Sequence, residues 1–183
     1  MVIELIFLAR VLAQPIAVPA DACAALVPPA LSARINADLP GYSLPSSNDA
    51  GELRNREIAT RGDWPCPFVA AGDYDGNGTL DRVLLVKASH GAAKLLGALN
   101  LNGEWQLSLS EEWNVPLIDS ELSPMGSGLY QRSDAVDHPV AQLDKLSSIQ
   151  AESDGFSAGK INGRKAVYFY IDNHWQKLTI KEN

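Results

Sequence analysis

Long apolar runs, histidine, cysteine and positive charge are all in short supply in this chain of 183 residues. No stretch approaches the ~20 uninterrupted apolar residues that crossing a bilayer as a helix requires, so a transmembrane anchor is not expected. The three histidines, His90, His138 and His174, stand apart with no two at metal-ligand spacing, which argues against a zinc site. Ser127 lies in Gly-Ser-Gly without the flanking pattern of a nucleophile elbow. A glycine-rich phosphate loop, an internal repeat and a low-complexity tract are all missing. Fifteen Lys and Arg against 22 Asp and Glu leave a formal charge of −7 and a pI of about 4.9. An acidic surface repels phosphate backbones and anionic lipid, so nucleic-acid and membrane-surface roles are disfavoured, whereas a cation or a basic partner suits it.

The composition that remains is globular, with 46% hydrophobic and 20% charged residues, and the length fits one domain with a sizeable core. Residues 1–20 read differently from the rest. Val2, Ile3, residues 5–8, residues 11–13 and residues 16–20 are apolar, and Val18 and Ala20 are small residues ahead of a cleavage point. A signal or leader segment is expected there, although Glu4 and Arg10 interrupt it and no basic residue precedes it. The domain proper is then residues 21–183, secreted or periplasmic. Its two cysteines, Cys23 and Cys66, are expected to form a disulfide in that oxidising setting. Closing such a loop stabilises a fold by roughly 4 kcal/mol in the chain-entropy model.

Pro28 and Pro29 open a helical stretch with Leu31, Ile35 and Leu39 at spacings of four, and Pro40-Gly41 ends it. Leu53 and Ile58 suit a further short helix. From Pro67 onward the pattern is β. Residues 68–71 and 83–86 are apolar runs flanking an Asp/Gly-rich turn. Residues 95–101 and 105–109 form another pair around Asn102-Gly103, a dipeptide suited to the positive φ of a two-residue hairpin turn. Trp105, Leu107 and Leu109 alternate with Gln106, Ser108 and Ser110, as on a strand with one buried face. Residues 116–134 read as a long connection containing Gly126-Ser127-Gly128. Further strands are expected over residues 148–153, 159–161, 167–171 and 175–180, with turns at Asn162-Gly163 and Asp172-Asn173. The fold class is α+β: a helical N-terminal segment packed on a mainly antiparallel sheet meander.

The chemistry is concentrated in Asp73-Tyr74-Asp75-Gly76-Asn77-Gly78-Thr79-Leu80-Asp81. Side-chain oxygens fall at positions 1, 3, 5 and 9 (Asp73, Asp75, Asn77 and Asp81), and position 7 offers the carbonyl of Thr79. Calcium takes six to eight hard oxygen ligands at about 2.3–2.6 Å, and water can complete such a shell. Gly76 and Gly78 permit the curl that aims alternate side chains at one centre. A like-charge pair at about 4 Å costs roughly 1 kcal/mol in water and about 4 kcal/mol at an effective dielectric of 20, and a divalent cation reverses that sign. An EF-hand is excluded: its twelfth position needs a bidentate Glu where this chain has Leu84, and its flanks are helices where these are β-like. Asn77-Gly78-Thr79 is formally a glycosylation sequon, set aside because one side chain cannot both face a metal and carry a glycan.

Residues 69–86 around this loop resemble the FG-GAP or VCBS repeat, the calcium-binding β-hairpin loop of integrin α-chain propellers and many bacterial surface proteins. The resemblance implies calcium held by Asp73, Asp75, Asn77 and Asp81 with the carbonyl of Thr79, in a hairpin spanning residues 68–86. It covers about eighteen residues in one copy, since Ser153-Asp154-Gly155-Phe156 lacks the later acids, and a chain of this length cannot close a propeller from a single blade.

The function expected from these features is an exported, non-enzymatic calcium module whose ion rigidifies a loop beside a protein- or glycan-binding surface. An inhibitor or immunity-type protein acting through residues 116–134 is the alternative. A hydrolase built on the metal or on Asp134, Asp137 and His138 is a third reading, weighed against the commoner role of such residues, and of Glu111-Glu112, as exposed acids. Trp105, Trp113, Trp175, Tyr168 and Tyr170 are expected mainly in packing.

Overall fold

The computed structural model describes residues 21–52, 55–56, 65–89, 91–131 and 148–180. The expected leader, the helix expected around Leu53 and Ile58, His90, and the Asp134, Asp137 and His138 group lie outside the described residues.

The N-terminal part is helical and short. Helix α1 (Ala22–Ala25) is capped by Asp21, whose carboxylate accepts the N–H groups of Cys23 and Ala24. The other oxygen of Asp21 accepts the N–H and hydroxyl of Ser47 at 2.9 and 2.7 Å. Helix α2 (Pro29–Asp38) starts on proline, which has no N–H to leave unpaired at a first turn, and buries Leu31 and Ile35. The Cys23–Cys66 disulfide is formed and ties this segment to the chain just ahead of the first long hairpin.

Eleven strands follow among the described residues: β1 (Tyr42–Ser43), β2 (Val69–Gly72), β3 (Asp81–Ala88), β4 (Ala93–Leu101), β5 (Glu104–Trp113), β6 (Ser120–Met125), β7 (Gly128–Gln131), β8 (Ser148–Ala151), β9 (Gly155–Lys160), β10 (Lys165–Ile171) and β11 (His174–Ile180). One antiparallel sheet runs β1-β3-β4-β5, with β2 also paired to β3; a second runs β11-β10-β9-β6; β7 and β8 form a separate ribbon. The turns fall where the sequence places them. Asn102 and Gly103 take φ of 56° and 97° between the paired Leu101 and Glu104, and Asp172 and Asn173 take 51° and 62° between Ile171 and His174.

The expected single meander is instead two meanders laid against each other. Val83 to Val86 are all fully buried, as are Leu95, Leu96 and Ala98. Because successive side chains on a strand point to opposite faces, both faces of the first sheet are covered. One continuous core joins Leu31 and Ile35 of α2 to these strands and to Phe156, Ala158 and Tyr168 of the second sheet. Along β10 the alternation is visible in one line: Tyr168 belongs to this core, while Val167 and Phe169 join Ile149, Ala151 and Leu178 in a second cluster under the β7–β8 ribbon.

The sheets also meet at their margins. Leu122 N–H on β6 donates to Pro67 O ahead of β2 at 2.7 Å. At the other side Trp175 Nε1 donates to Ser108 Oγ at 3.0 Å, and Lys177 pairs with Glu111 at 3.1 Å. The connection expected over residues 116–134 is a correction: it contains β6 and β7. The sequence disguises β6 because the strand includes Pro124, which lacks a ladder donor and is tolerated on an edge strand such as this one. At the coarse level the architecture is predominantly antiparallel β with a small helical part.

Candidate metal centre

The hairpin between β2 and β3 closes on the pair Gly72 and Asp81, leaving residues 73–80 as its loop. Alternation continues into this loop. Asp73 and Asp75 face one way, and Tyr74 between them turns inward and is fully buried. Its ring meets Phe156 and Trp175 edge to face, at centroid distances of 5.8 and 5.7 Å. An aromatic side chain of this kind buries about 150–250 Å², enough to anchor a loop that has no ladder of its own. Gly76, at φ 73°, and Gly78, at φ 83°, then turn the chain back.

One carboxylate oxygen from each of Asp73, Asp75 and Asp81 lies within 4.8 Å of the other two. The backbone organises them. Asp81, fully buried, accepts Tyr74 N–H at 2.8 Å through Oδ2 and Asn100 N–H at 2.7 Å through Oδ1. Asp73 Oδ2 accepts Gly78 N–H at 2.9 Å, and Asp75 Oδ1 accepts Asn77 N–H at 3.1 Å. Burial, with Asp75 nearby, pushes the Asp81 carboxyl up to about 6 in spite of its hydrogen bonds. Burial, then Asp75 and Asp81, likewise pushes the Tyr170 hydroxyl up, which places that β10 side chain in the field of the cluster.

The side chains of Asn77 and Thr79 bond within the loop and to β4. Asn77 Oδ1 accepts the N–H of Thr79 at 2.8 Å. The Asn77 amide donates to Asp75 Oδ2 at 2.9 Å and to Asn100 O at 3.1 Å, and the Thr79 hydroxyl donates to that same carbonyl at 2.7 Å. Asn100, on β4, is therefore the brace that carries the loop, accepting from two loop side chains and donating to Asp81. Nothing in the sequence around Asn100 marks it out except its nearness to the Asn102-Gly103 turn.

Whether a cation suits this loop can be tested on its unsatisfied groups. Among the described residues, the buried side-chain polar atoms without a hydrogen-bond partner are Asp73 Oδ1 and Tyr74 Oη, on consecutive residues of the loop. Buried polar atoms are nearly always paired, so an orphan carboxylate oxygen beside two more carboxylates could hold a positive charge. The donors are all hard oxygens, the set that calcium and magnesium take.

Among the described residues, the Glu111-Glu112 pair and the sheet aromatics have structural partners. Glu111 accepts from the Tyr168 hydroxyl and from Lys177, and Glu112 pairs with Lys94 at 2.8 Å. Trp175 packs with Tyr74, Phe156 and Tyr170, and Phe156 stacks on Tyr168 at 4.7 Å, so these rings belong to the packing between sheets. No family model, no curated protein and no solved structure matches this chain.

Proposed function

We propose that residues 73–81 bind a calcium ion and that the protein is an exported, non-enzymatic module whose ion rigidifies this hairpin beside a protein-binding surface. The observation that carries the reading is the convergence of Asp73, Asp75 and Asp81 to within 4.8 Å, with Asp73 Oδ1 buried and unpartnered. Those three carboxylates would hold the ion, and the carbonyl of Thr79 and the side chain of Asn77 are the further ligands that the FG-GAP or VCBS likeness suggests. The ion would supply charge neutralisation and a fixed loop conformation.

Calcium is preferred to magnesium because the oxygens come from an irregular loop, and magnesium demands near-ideal octahedral geometry and gives up its water reluctantly. The disulfide supports export, since such bonds persist in oxidising compartments. No helix among the described residues is long and apolar enough to cross a membrane. Leu80, at the end of the loop, and Leu101, beside the Asn100 brace, are 57% and 41% exposed, apolar side chains that a protein partner would cover.

Isothermal titration of chelator-stripped protein tests the reading. One calcium is expected per chain at about 10⁻⁴–10⁻³ M, the range of extracellular modules, with magnesium weaker. Absence of any binding, or equal binding after Asp73→Ala together with Asp75→Ala, would refute it.

A further inference from the structure

We infer that this loop is a clamp between the two sheets, in which Asp154, in the turn leading into β9 of the second sheet, positions Asp73, in the loop leading into β3 of the first, for the ion; the inference rests on the calcium reading above. Asp154 stands in the turn between β8 and β9, 81 residues from Asp73, yet the two are joined twice. Asp73 N–H donates to Asp154 Oδ2 at 3.1 Å, and Asp154 N–H donates to Asp73 O at 3.2 Å. With Oδ2 of Asp73 held by Gly78 N–H, every polar atom of that residue is engaged except the buried Oδ1. Asp154 therefore sets the backbone from which the orphan oxygen is presented.

Two glycines make room for this contact. A Cβ at Gly72 would lie 3.1 Å from Asp154 Cβ and 2.8 Å from Tyr74 Cε1. A Cβ at Gly76 would lie 2.8 Å from the Ser153 hydroxyl. The loop is thus bare of side chains where Ser153 and Asp154 sit on it. Beneath, Tyr74 is wedged between Phe156 of β9 and Trp175 of β11. A cation that orders the loop accordingly orders the β8–β9 turn too, and groups behind a ligand of this kind are typically worth about 10–100-fold in metal affinity.

Hydrogen exchange of the full-length wild type, with and without calcium, is the first test. Slowing is expected in peptides covering residues 150–157 as well as 72–81; slowing confined to 72–81 would overturn the clamp. Titration of two variants is the second. Asp154→Ala is expected to weaken calcium about tenfold, and Asp154→Asn, which keeps an oxygen acceptor for the Asp73 N–H, to stay within about threefold of wild type. Wild-type affinity in Asp154→Ala, or equal weakening in both variants, would refute the positioning role. Should Asp154→Ala not fold, the exchange result on wild type decides alone. A wild type that binds no calcium overturns the calcium site itself, and this inference with it.

Discussion

Raising the pH through the range of Asp81 should roughly double the stability that calcium contributes to this protein. Asp81 is pushed up to about 6 in the folded chain, whereas an unfolded aspartate titrates at its ordinary value of 3.8. Between those values the folded state binds more protons than the unfolded state, so, from this group, stability falls as pH rises and the penalty is complete above about 6. The gap between 3.8 and about 6 makes that penalty at most about 3 kcal/mol. Asp75 is one of the groups that raise Asp81, and a bound dication would reverse that repulsion.

The size of the calcium effect follows by mass action. With a dissociation constant near 10⁻⁴ M at pH 7.5, ~10 mM calcium is about a hundredfold excess and contributes about 2.7 kcal/mol. For a chain of this size that is a rise of about 5–10 °C in melting midpoint. At pH 5 Asp81 is about nine-tenths protonated, affinity drops about tenfold, and the contribution falls to about 1.4 kcal/mol, roughly half the shift. Paired thermal melts followed by circular dichroism at pH 7.5, 6 and 5, with calcium and with chelator, measure the difference directly. A calcium shift that is absent at pH 7.5, or that does not shrink by pH 5, would refute the reasoning.

Two further outcomes test the scaffold around the site. Replacing both Cys23 and Cys66 by Ala opens a link of sequence separation 43 and should lower stability by about 4 kcal/mol in denaturant titration, the loop being released in the unfolded chain as well. Gly155→Ala places a Cβ 2.2 Å from the Phe169 ring and 2.7 Å from the Tyr168 carbonyl, and overpacking of that kind should cost at least about 1–3 kcal/mol in the same assay.

Local chemistry was written plainly in the sequence. The spacing of Asp73, Asp75 and Asp81 around two glycines announces a curled, oxygen-rich loop, because alternation and backbone freedom are properties of neighbouring residues. Asn102-Gly103 and Asp172-Asn173 announce their turns for the same reason. The pairing of Cys23 with Cys66 followed from there being two cysteines and an exported character.

Long-range placement was not written there. Periodicity states that β3 and β4 are buried, but not that the second sheet covers them, and a strand carrying Pro124 is masked by its own composition. Tyr74 reads as one residue of a polar turn until Phe156 and Trp175 are seen to close on it. Asn100 and Asp154 lie 19 and 81 residues from the carboxylates they support, so only the packing of β4 and of the β8–β9 turn against the hairpin could bring them there. The sequence determined which atoms can meet a cation; the burial that raises Asp81 and strands Asp73 Oδ1 belongs to the packed structure, since desolvation exists only once the chain has folded around them.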